Sequence, residues 1–349
     1  MLDYLIVGQG VAGSCFALKL FNQNKTFQII DSNQNKASSV AVGIYNPVVL
    51  KRFSLIWKAE QQLQWMFHYF SDFEKLLGEN FIEKLPTYRI LKSEDEIQTW
   101  KKKSDLPVLE NFLSKEIQTS KNQNIHAPLG FSEVKHTGRI QLEKCMRLFR
   151  EFLIQKNNYR HEDFDYSELK IQSDKIIYKG IEARRIVFCE GYKLLENPYF
   201  NYLPVIGVKG EVLEIETESE IPKAIWKAHN FLMPENSKTA LTASTYDRED
   251  MTYEPTENGR KEMQKYLEEI YTGNYKITDQ KAGIRPTVVD RRPILGSHPA
   301  HQNLFVLNGM GTRGTLLAPQ MTEYLYEHIE NSAKIDKEAD VRRFDKFWD

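Results

Sequence analysis

The first residues with chemistry in their spacing are Gly8-Gln9-Gly10-Val11-Ala12-Gly13, a G-x-G-x-x-G turn. Gly8 permits a tight turn, Gly10 lets backbone approach a pyrophosphate, and Gly13 lets a helix pack closely on the preceding strand. A helix starting there offers free N–H groups and a positive dipole end to phosphates. Asp31 follows 18 residues after Gly13, where a carboxylate can accept hydrogen bonds from ribose hydroxyls. The same charge repels a 2′-phosphate, so NADP is disfavoured while FAD and NAD stay open.

Two further motifs lie near the other end of the chain. One is Ala282-Gly283-Ile284-Arg285-Pro286-Thr287, continuing to Asp290-Arg291-Arg292-Pro293-Ile294-Leu295-Gly296. The other runs Leu307-Asn308-Gly309-Met310-Gly311-Thr312-Arg313-Gly314-Thr315-Leu316-Leu317-Ala318-Pro319. In the latter a strand enters a glycine turn and then a helix, which repeats the anion-binding geometry of the first motif. Its free N–H groups suit an electron-poor ring edge.

These motifs need elements to hold them. Tyr4-Leu5-Ile6-Val7 reads as a buried parallel strand, residues 14–21 as a helix, and Phe27 to Asp31 as a second strand, completing a βαβ unit. Residues 37–50 read as a small-residue loop, and helices are predicted over 55–77, 141–155, 256–271 and 316–329. Further strands are predicted over 175–178, 184–190 and 303–307, with alternating antiparallel material between 205 and 290. Lys101-Lys102-Lys103 reads as a solvated helix face.

The 349 residues, 41% hydrophobic and 12% aromatic, suit two domains with a substantial core. A net charge of −1 gives no global electrostatic reason to hold nucleic acid. Cys15, Cys145 and Cys189 are scattered and odd in number, so neither a disulfide framework nor a metal site is expected. For Cys15 and Cys189 the simpler role is that of a small buried apolar residue. No apolar stretch reaches the ~18 residues a membrane span needs. The N-terminus lacks a positively charged region and reads as a strand, so the expected address is cytoplasmic.

Taken together, the motifs resemble the FAD-dependent D-amino-acid-oxidase superfamily. That group includes glycine oxidase, sarcosine oxidase and the oxidase module of the bifunctional enzyme that completes methylaminomethyl-uridine in tRNA. The specific part is the pair built on Gly283-Ile284-Arg285-Pro286 and Gly309-x-Gly311-x-Arg313-Gly314. Gly43-Ile44-Tyr45-Asn46-Pro47, Gly138-Arg139-Ile140, Phe188-Cys189-Glu190-Gly191, residues 204–210 and Leu241-Thr242-Ala243-Ser244-Thr245 support it. The resemblance implies an α/β plus α+β fold. In it a Rossmann-like FAD-binding domain (1–75, 136–204 and 291–349) is interleaved with an antiparallel-sheet substrate domain (76–135 and 205–290).

By position, the resemblance sets Gly8, Gly10, Val11, Ala12 and Gly13 at the pyrophosphate and Asp31 and Ser32 at the adenosine ribose. Ser38, Ser39, Gly43 and Ile44 line the flavin, and Gly191 passes the cofactor's middle. Gly309, Gly311, Thr312, Arg313, Gly314 and Thr315 address the pyrimidine edge. Such enzymes oxidise a C–N bond by hydride transfer to flavin N5. Arg285 holds the family's carboxylate-clamping position, suited to a planar fork. Tyr45 and Arg313 are further catalytic candidates, Tyr246 is a weaker one, and Lys209 and Lys227 are candidate oxygen-activating cations. No cysteine follows Cys189, which implies noncovalent FAD.

The expected substrate is a small amine, amino acid or N-substituted glycine. The turn carrying Thr312-Arg313-Gly314 and the Tyr45-x-Pro47 segment lean toward the tRNA-modifying oxidase, so removal of a carboxymethyl group from a modified uridine is an alternative. The near-neutral charge disfavours tRNA as a partner. A flavin-binding protein without turnover is the third reading.

Overall fold

The computed structural model describes residues 1–34 and 37–348. The apolar run near the N-terminus forms strand Leu2–Val7 at the centre of a parallel sheet. It lies between Phe27–Asp31 and Ile181–Phe188 and runs parallel to both. Tyr159–His161 continues the sheet beyond Phe27–Asp31, and Leu304–Asn308 pairs in parallel with Ile181–Phe188. Helices cover one face, so Tyr4, Ile6 and Ile29 share a core with Phe16, Phe70, Phe149 and Met321. On the other face Leu5, Val7 and Ile30 pack with Phe188, Phe200 and Val306. Burial on both faces is why these strands read as continuous apolar runs without alternation.

The second sheet has seven strands. Their order is Tyr275–Val288, Val205–Thr217, Thr239–Ala243, Phe231–Pro234, Ile225–Lys227, Thr87–Ile90 and Phe131–Val134. All neighbours are antiparallel except Ile225–Lys227 with Thr87–Ile90. Alternation splits its residues. Val212, Ile225, Met233 and Ala243 face Val42 on one side. Ile215, Trp226, Leu232 and Ala240 pack with Leu267 of helix Glu257–Glu268 on the other. A small third sheet is formed by Ile44–Tyr45, Gly138–Ile140 and Ile82–Lys84.

Several predicted bounds move. The helix expected from residue 55 spans Ala59–Leu77, because Ser54–Leu55 pairs with Val48–Val49 and Lys58 takes a left-handed φ of 50° at the helix start. The predicted loop over 37–50 contains a short helix, Ala37–Val40. Lys101, Lys102 and Lys103 close helix Glu94–Ser104, whose first turn carries Glu94, Asp95 and Glu96. That charge order complements the helix dipole. All three cysteines are buried and free. Among the described residues no helix is long and apolar enough to cross a membrane, and no His/Cys/Asp/Glu group could hold a metal.

Candidate active site

One cavity of about 630 Å³ runs between the parallel sheet and the seven-stranded sheet. At one end it meets the G-x-G-x-x-G turn. Gly8 has φ +95°, and a Cβ there would lie 2.6 Å from the Cys189 carbonyl oxygen. A Cβ on Gly13 would stand 2.0 Å from the Gly8 carbonyl oxygen, so only glycine lets helix Val11–Asn22 sit this close to the strand. Gly10 differs: a Cβ would meet nothing closer than Ser38 Oγ at 3.4 Å. Its open side faces the cavity.

Asp31 lines the same end, and donors from several segments hold it in place. The Gln9 N–H donates to Oδ1 at 3.0 Å, the Asn33 N–H to Oδ2 at 2.8 Å, and the Tyr159 hydroxyl to Oδ2 at 2.8 Å. Burial and the nearby Asp31 charge push the Tyr159 hydroxyl upward, so it stays a donor. The Val11 N–H donates to Ser38 Oγ at 3.0 Å, which ties the helix start to the Ala37–Val40 segment. Gln9 is fully buried, and its Nε2 donates to Ser14 Oγ and the Met146 carbonyl, both at 3.0 Å. An x position of the motif thus locks the turn, a role that motif reading does not assign.

The C-terminal glycine turn arrives at the middle of the cavity. Helix Gly314–Asn331 starts there, and a Cβ on Gly314 would lie 3.0 Å from Val11 Cγ1. Two helix N-termini, at Val11 and Gly314, therefore converge on one cavity from opposite ends of the sequence. Asn308 ties the loops together. Its Nδ2 donates to the Gly191 carbonyl at 2.9 Å and its Oδ1 accepts from the Gly309 N–H at 2.7 Å. A polar residue closing an apolar strand was the available signal for Asn308. Glu190, beside Gly191, accepts from Tyr166 and Asn197, and burial raises its pKa to about 7.

At the far end the lining is Val40, Val42, Ile44, Val212, Phe231 and Ala243, with Ser244 and Arg285 as its polar groups. The Arg285 guanidinium lies flat on Gly210, where a Cβ would come within 1.8 Å of Nη2. Nη2 donates to Ser244 Oγ at 2.7 Å, and Nη1 to the carbonyls of Thr245 at 3.3 Å and Lys209 at 3.5 Å. Burial pulls the Arg285 pKa downward. Among the described residues no carboxylate pairs with it. This partly buried cation faces the cavity and has only neutral partners.

Of the expected residues, Gly8, Gly10, Val11, Ala12, Asp31, Ser32, Ser38, Gly43, Ile44, Gly191, Gly311, Thr312, Gly314, Thr315 and Arg285 line this one cavity. Gly13, Ser39 and Gly309 lie outside the lining. Gly13 and Gly309 shape turns from behind: a Cβ on Gly309 would strike Val288 at 2.5 Å.

Tyr45 also departs from expectation. Strand alternation turns Ile44 to the cavity and Tyr45 away, against Phe67 and Gly138, with 1% exposure and an unpartnered hydroxyl. Arg313 sits between the lining residues Thr312 and Gly314 but is itself outside the lining. Burial and the nearby Arg291 charge lower its pKa. Tyr246 is 52% exposed. Lys209 is spoken for: its Nζ donates to Asp250 at 2.5 Å, Thr252 at 3.0 Å and the Glu254 carbonyl at 2.6 Å. Sequence reading passed over Phe231 and Ser244 as cavity groups.

The model of a family described as FAD dependent oxidoreductase (DAO) matches residues 3–327. The chain belongs to this family. The residues present fit FAD: a carboxylate and two helix N-termini at one end and in the middle, and an apolar slot at the other. The bifunctional tRNA 5-methylaminomethyl-2-thiouridine biosynthesis protein MnmC of Shewanella loihica is 25% identical over 252 residues, covering 59% of this chain and 36% of that protein. Glycine oxidase of Bacillus licheniformis is 26% identical over 125 residues, covering 35% of this chain and 34% of that one. The chain spans between 25% and 36% of the length of the first curated relatives it matches. Among solved structures, iminodiacetate oxidase from Chelativorans sp. BNC1 superposes with a TM-score of 0.80 at 15% identity, covering 97% of this chain and 98% of that one. Glycine oxidase from Geobacillus kaustophilus gives 0.75 at 17% identity, covering 96% of each. At these identities the structures establish a shared fold.

Proposed function

We propose that this FAD-dependent oxidoreductase oxidises the C–N bond of a carboxylated amine, either an amino acid or an N-substituted glycine, with Arg285 clamping the carboxylate. The observation that carries this is the cavity-facing Arg285 guanidinium with no anion beside it among the described residues. A cation kept partly buried without a partner is costly unless a ligand supplies the charge. Ser244 and the Thr245 carbonyl fix the plane of the fork, so a carboxylate arrives in one orientation. The apolar wall of Val212, Phe231 and Ala243 shuts out water and favours a neutral amine. When bound, FAD supplies a hydride acceptor at N5. No strong protein base is required. The chain's task is alignment of the reacting carbon.

Noncovalent attachment and the domain division at 76–135 and 205–290 belong to the same proposal. Cys189 is the cysteine that lines the cavity, at the Gly8 turn rather than the Arg285 end, and burial pushes its thiol up. Acid precipitation is expected to leave the flavin in the supernatant. For the division, limited proteolysis is expected to cut near the stated boundaries.

Anaerobic mixing of the holoenzyme with N-substituted glycines tests the activity. Bleaching of the flavin by carboxylated amines, with an Arg285→Met variant that stays yellow but needs far more substrate, is the expected result. Bleaching by no amine would leave a flavin-binding protein without turnover. Bleaching only by modified tRNA would support a second reading, oxidation of a carboxymethylamino group on uridine. The names of the MnmC relatives favour that reading. So does Tyr246, exposed next to the Arg285-bound Thr245 with the Arg248 guanidinium 5.6 Å from its ring. The net charge of −1 opposes it.

A further inference from the structure

Lys227 stands out among the lysines that the proposed reaction leaves unused. It ends strand Ile225–Lys227 and, by alternation, shares the face of Ile225, which packs with Val42, Val212 and Ala243. Register places it in a row across the sheet: Val212 pairs with Ala243, Ala243 with Phe231, and Phe231 with Lys227. Val212, Ala243 and Phe231 all line the cavity. The Lys227 Nζ is 5.9 Å from the centre of the Phe231 ring.

The neighbours of Lys227 are cations. Arg89 pairs with it across the strands but is neutralised by Glu96, and Lys92 is neutralised by Glu269. Lys227 itself donates to the His229 carbonyl and has no carboxylate partner among the described residues. Burial, Arg89 and Lys92 together pull its pKa down to about 8, so its charge carries a cost that an anion beside it would offset. Lys209 gives the contrast, with Asp250 closing its charge locally.

We infer that Lys227 is a second anion subsite beyond Phe231, so that the substrate is a dianion with one carboxylate on Arg285 and a second acidic group on Lys227. This rests on the proposed role of Arg285. The Arg285 guanidinium lies over Gly210, and Lys227, itself outside the cavity lining, holds its Nζ beside the Phe231 ring; two strand steps separate the strands of Gly210 and Phe231, so the two acid groups stand on the order of 10 Å apart. A monocarboxylated amine leaves Lys227 unpaired. An amino acid whose nitrogen carries an acid-tipped chain fills both positions.

The test uses non-oxidisable probes on the holoenzyme as purified, read by isothermal titration calorimetry and by perturbation of the flavin spectrum. Suberate carries an acid at each end, and octanoate has the same length with one. Suberate is expected to bind ten- to a hundredfold more tightly than octanoate, the range of one charge-assisted contact. Lys227→Met should erase that preference while leaving octanoate unchanged, and Lys227→Arg should keep it. Equal affinity of the two probes for the wild type, failure of both to bind, or a preference that survives in Lys227→Met overturns the inference. A wild type that prefers suberate yet is bleached by no amine would instead remove the catalytic reading and leave the subsite standing.

Discussion

Gly210→Ala offers a way to disturb the carboxylate clamp without touching its charge. The Arg285 guanidinium lies on the Gly210 Cα, and an added Cβ would sit 1.8 Å from Nη2, 2.1 Å from Cζ and 2.3 Å from Nη1. Contact distances near 3.5 Å force the fork to lift by roughly 1.5 Å. It then leaves Ser244 Oγ, now at 2.7 Å, and the Thr245 carbonyl, now at 3.3 Å. A bidentate pair displaced this far loses one or both charge-assisted hydrogen bonds, about 1.5–3 kcal/mol, or about 10- to 150-fold in substrate affinity. Anaerobic stopped-flow reduction of the flavin, measured across substrate concentration, separates the half-saturating concentration from the limiting rate. The expected result is a higher half-saturation for carboxylated amines in Gly210→Ala, and an Arg285→Met, Gly210→Ala double variant no worse than Arg285→Met alone. That non-additivity is the signature of two changes acting through one contact. Unchanged half-saturation in Gly210→Ala, or effects that simply add, would refute the clamp.

Two other outcomes follow from the cofactor end. Gly13→Ala places a Cβ 2.0 Å from the Gly8 carbonyl oxygen, so it should cost about 1–3 kcal/mol of stability and yield protein depleted of flavin, read by thermal melting and by the ratio of flavin to protein absorbance. Glu190 titrates upward, from 4.5 to about 7, because burial disfavours its charge. A raised carboxyl pKa binds the proton better in the folded state. Its contribution is therefore full below about pH 4.5 and is lost as pH rises through about 7, on the order of 3 kcal/mol at most. Denaturant titrations of the flavin-free protein across that window should show this slope in the wild type and its loss in Glu190→Gln.

The sequence determined the local chemistry. Gly8, Gly10, Gly13 and Asp31 are legible because steric freedom and charge are properties of single residues at fixed spacing on one βαβ unit. The same holds for the apolar strands and for the turn ahead of helix Gly314–Asn331. What the residue string does not carry is direction. Tyr45 and Ile44 are neighbours in the chain, yet a strand sends them to opposite sides, and pairing with Gly138–Ile140 decides which side meets the cavity.

Tertiary structure also decided the status of the cations. Arg285, Lys209 and Lys227 are equally charged in the sequence. Only packing shows that Lys209 is closed by Asp250, that Arg285 rests on Gly210 beside neutral oxygens, and that Lys227 stands next to the cavity-lining Phe231 with no carboxylate partner among the described residues. A charge's role depends on which groups share its low-dielectric surroundings, and those groups come from strands far apart in the chain. The opening glycine motif reaches its full meaning the same way. Its helix end is one of two, and folding sets the second, at Gly314, against Val11 on the same cavity.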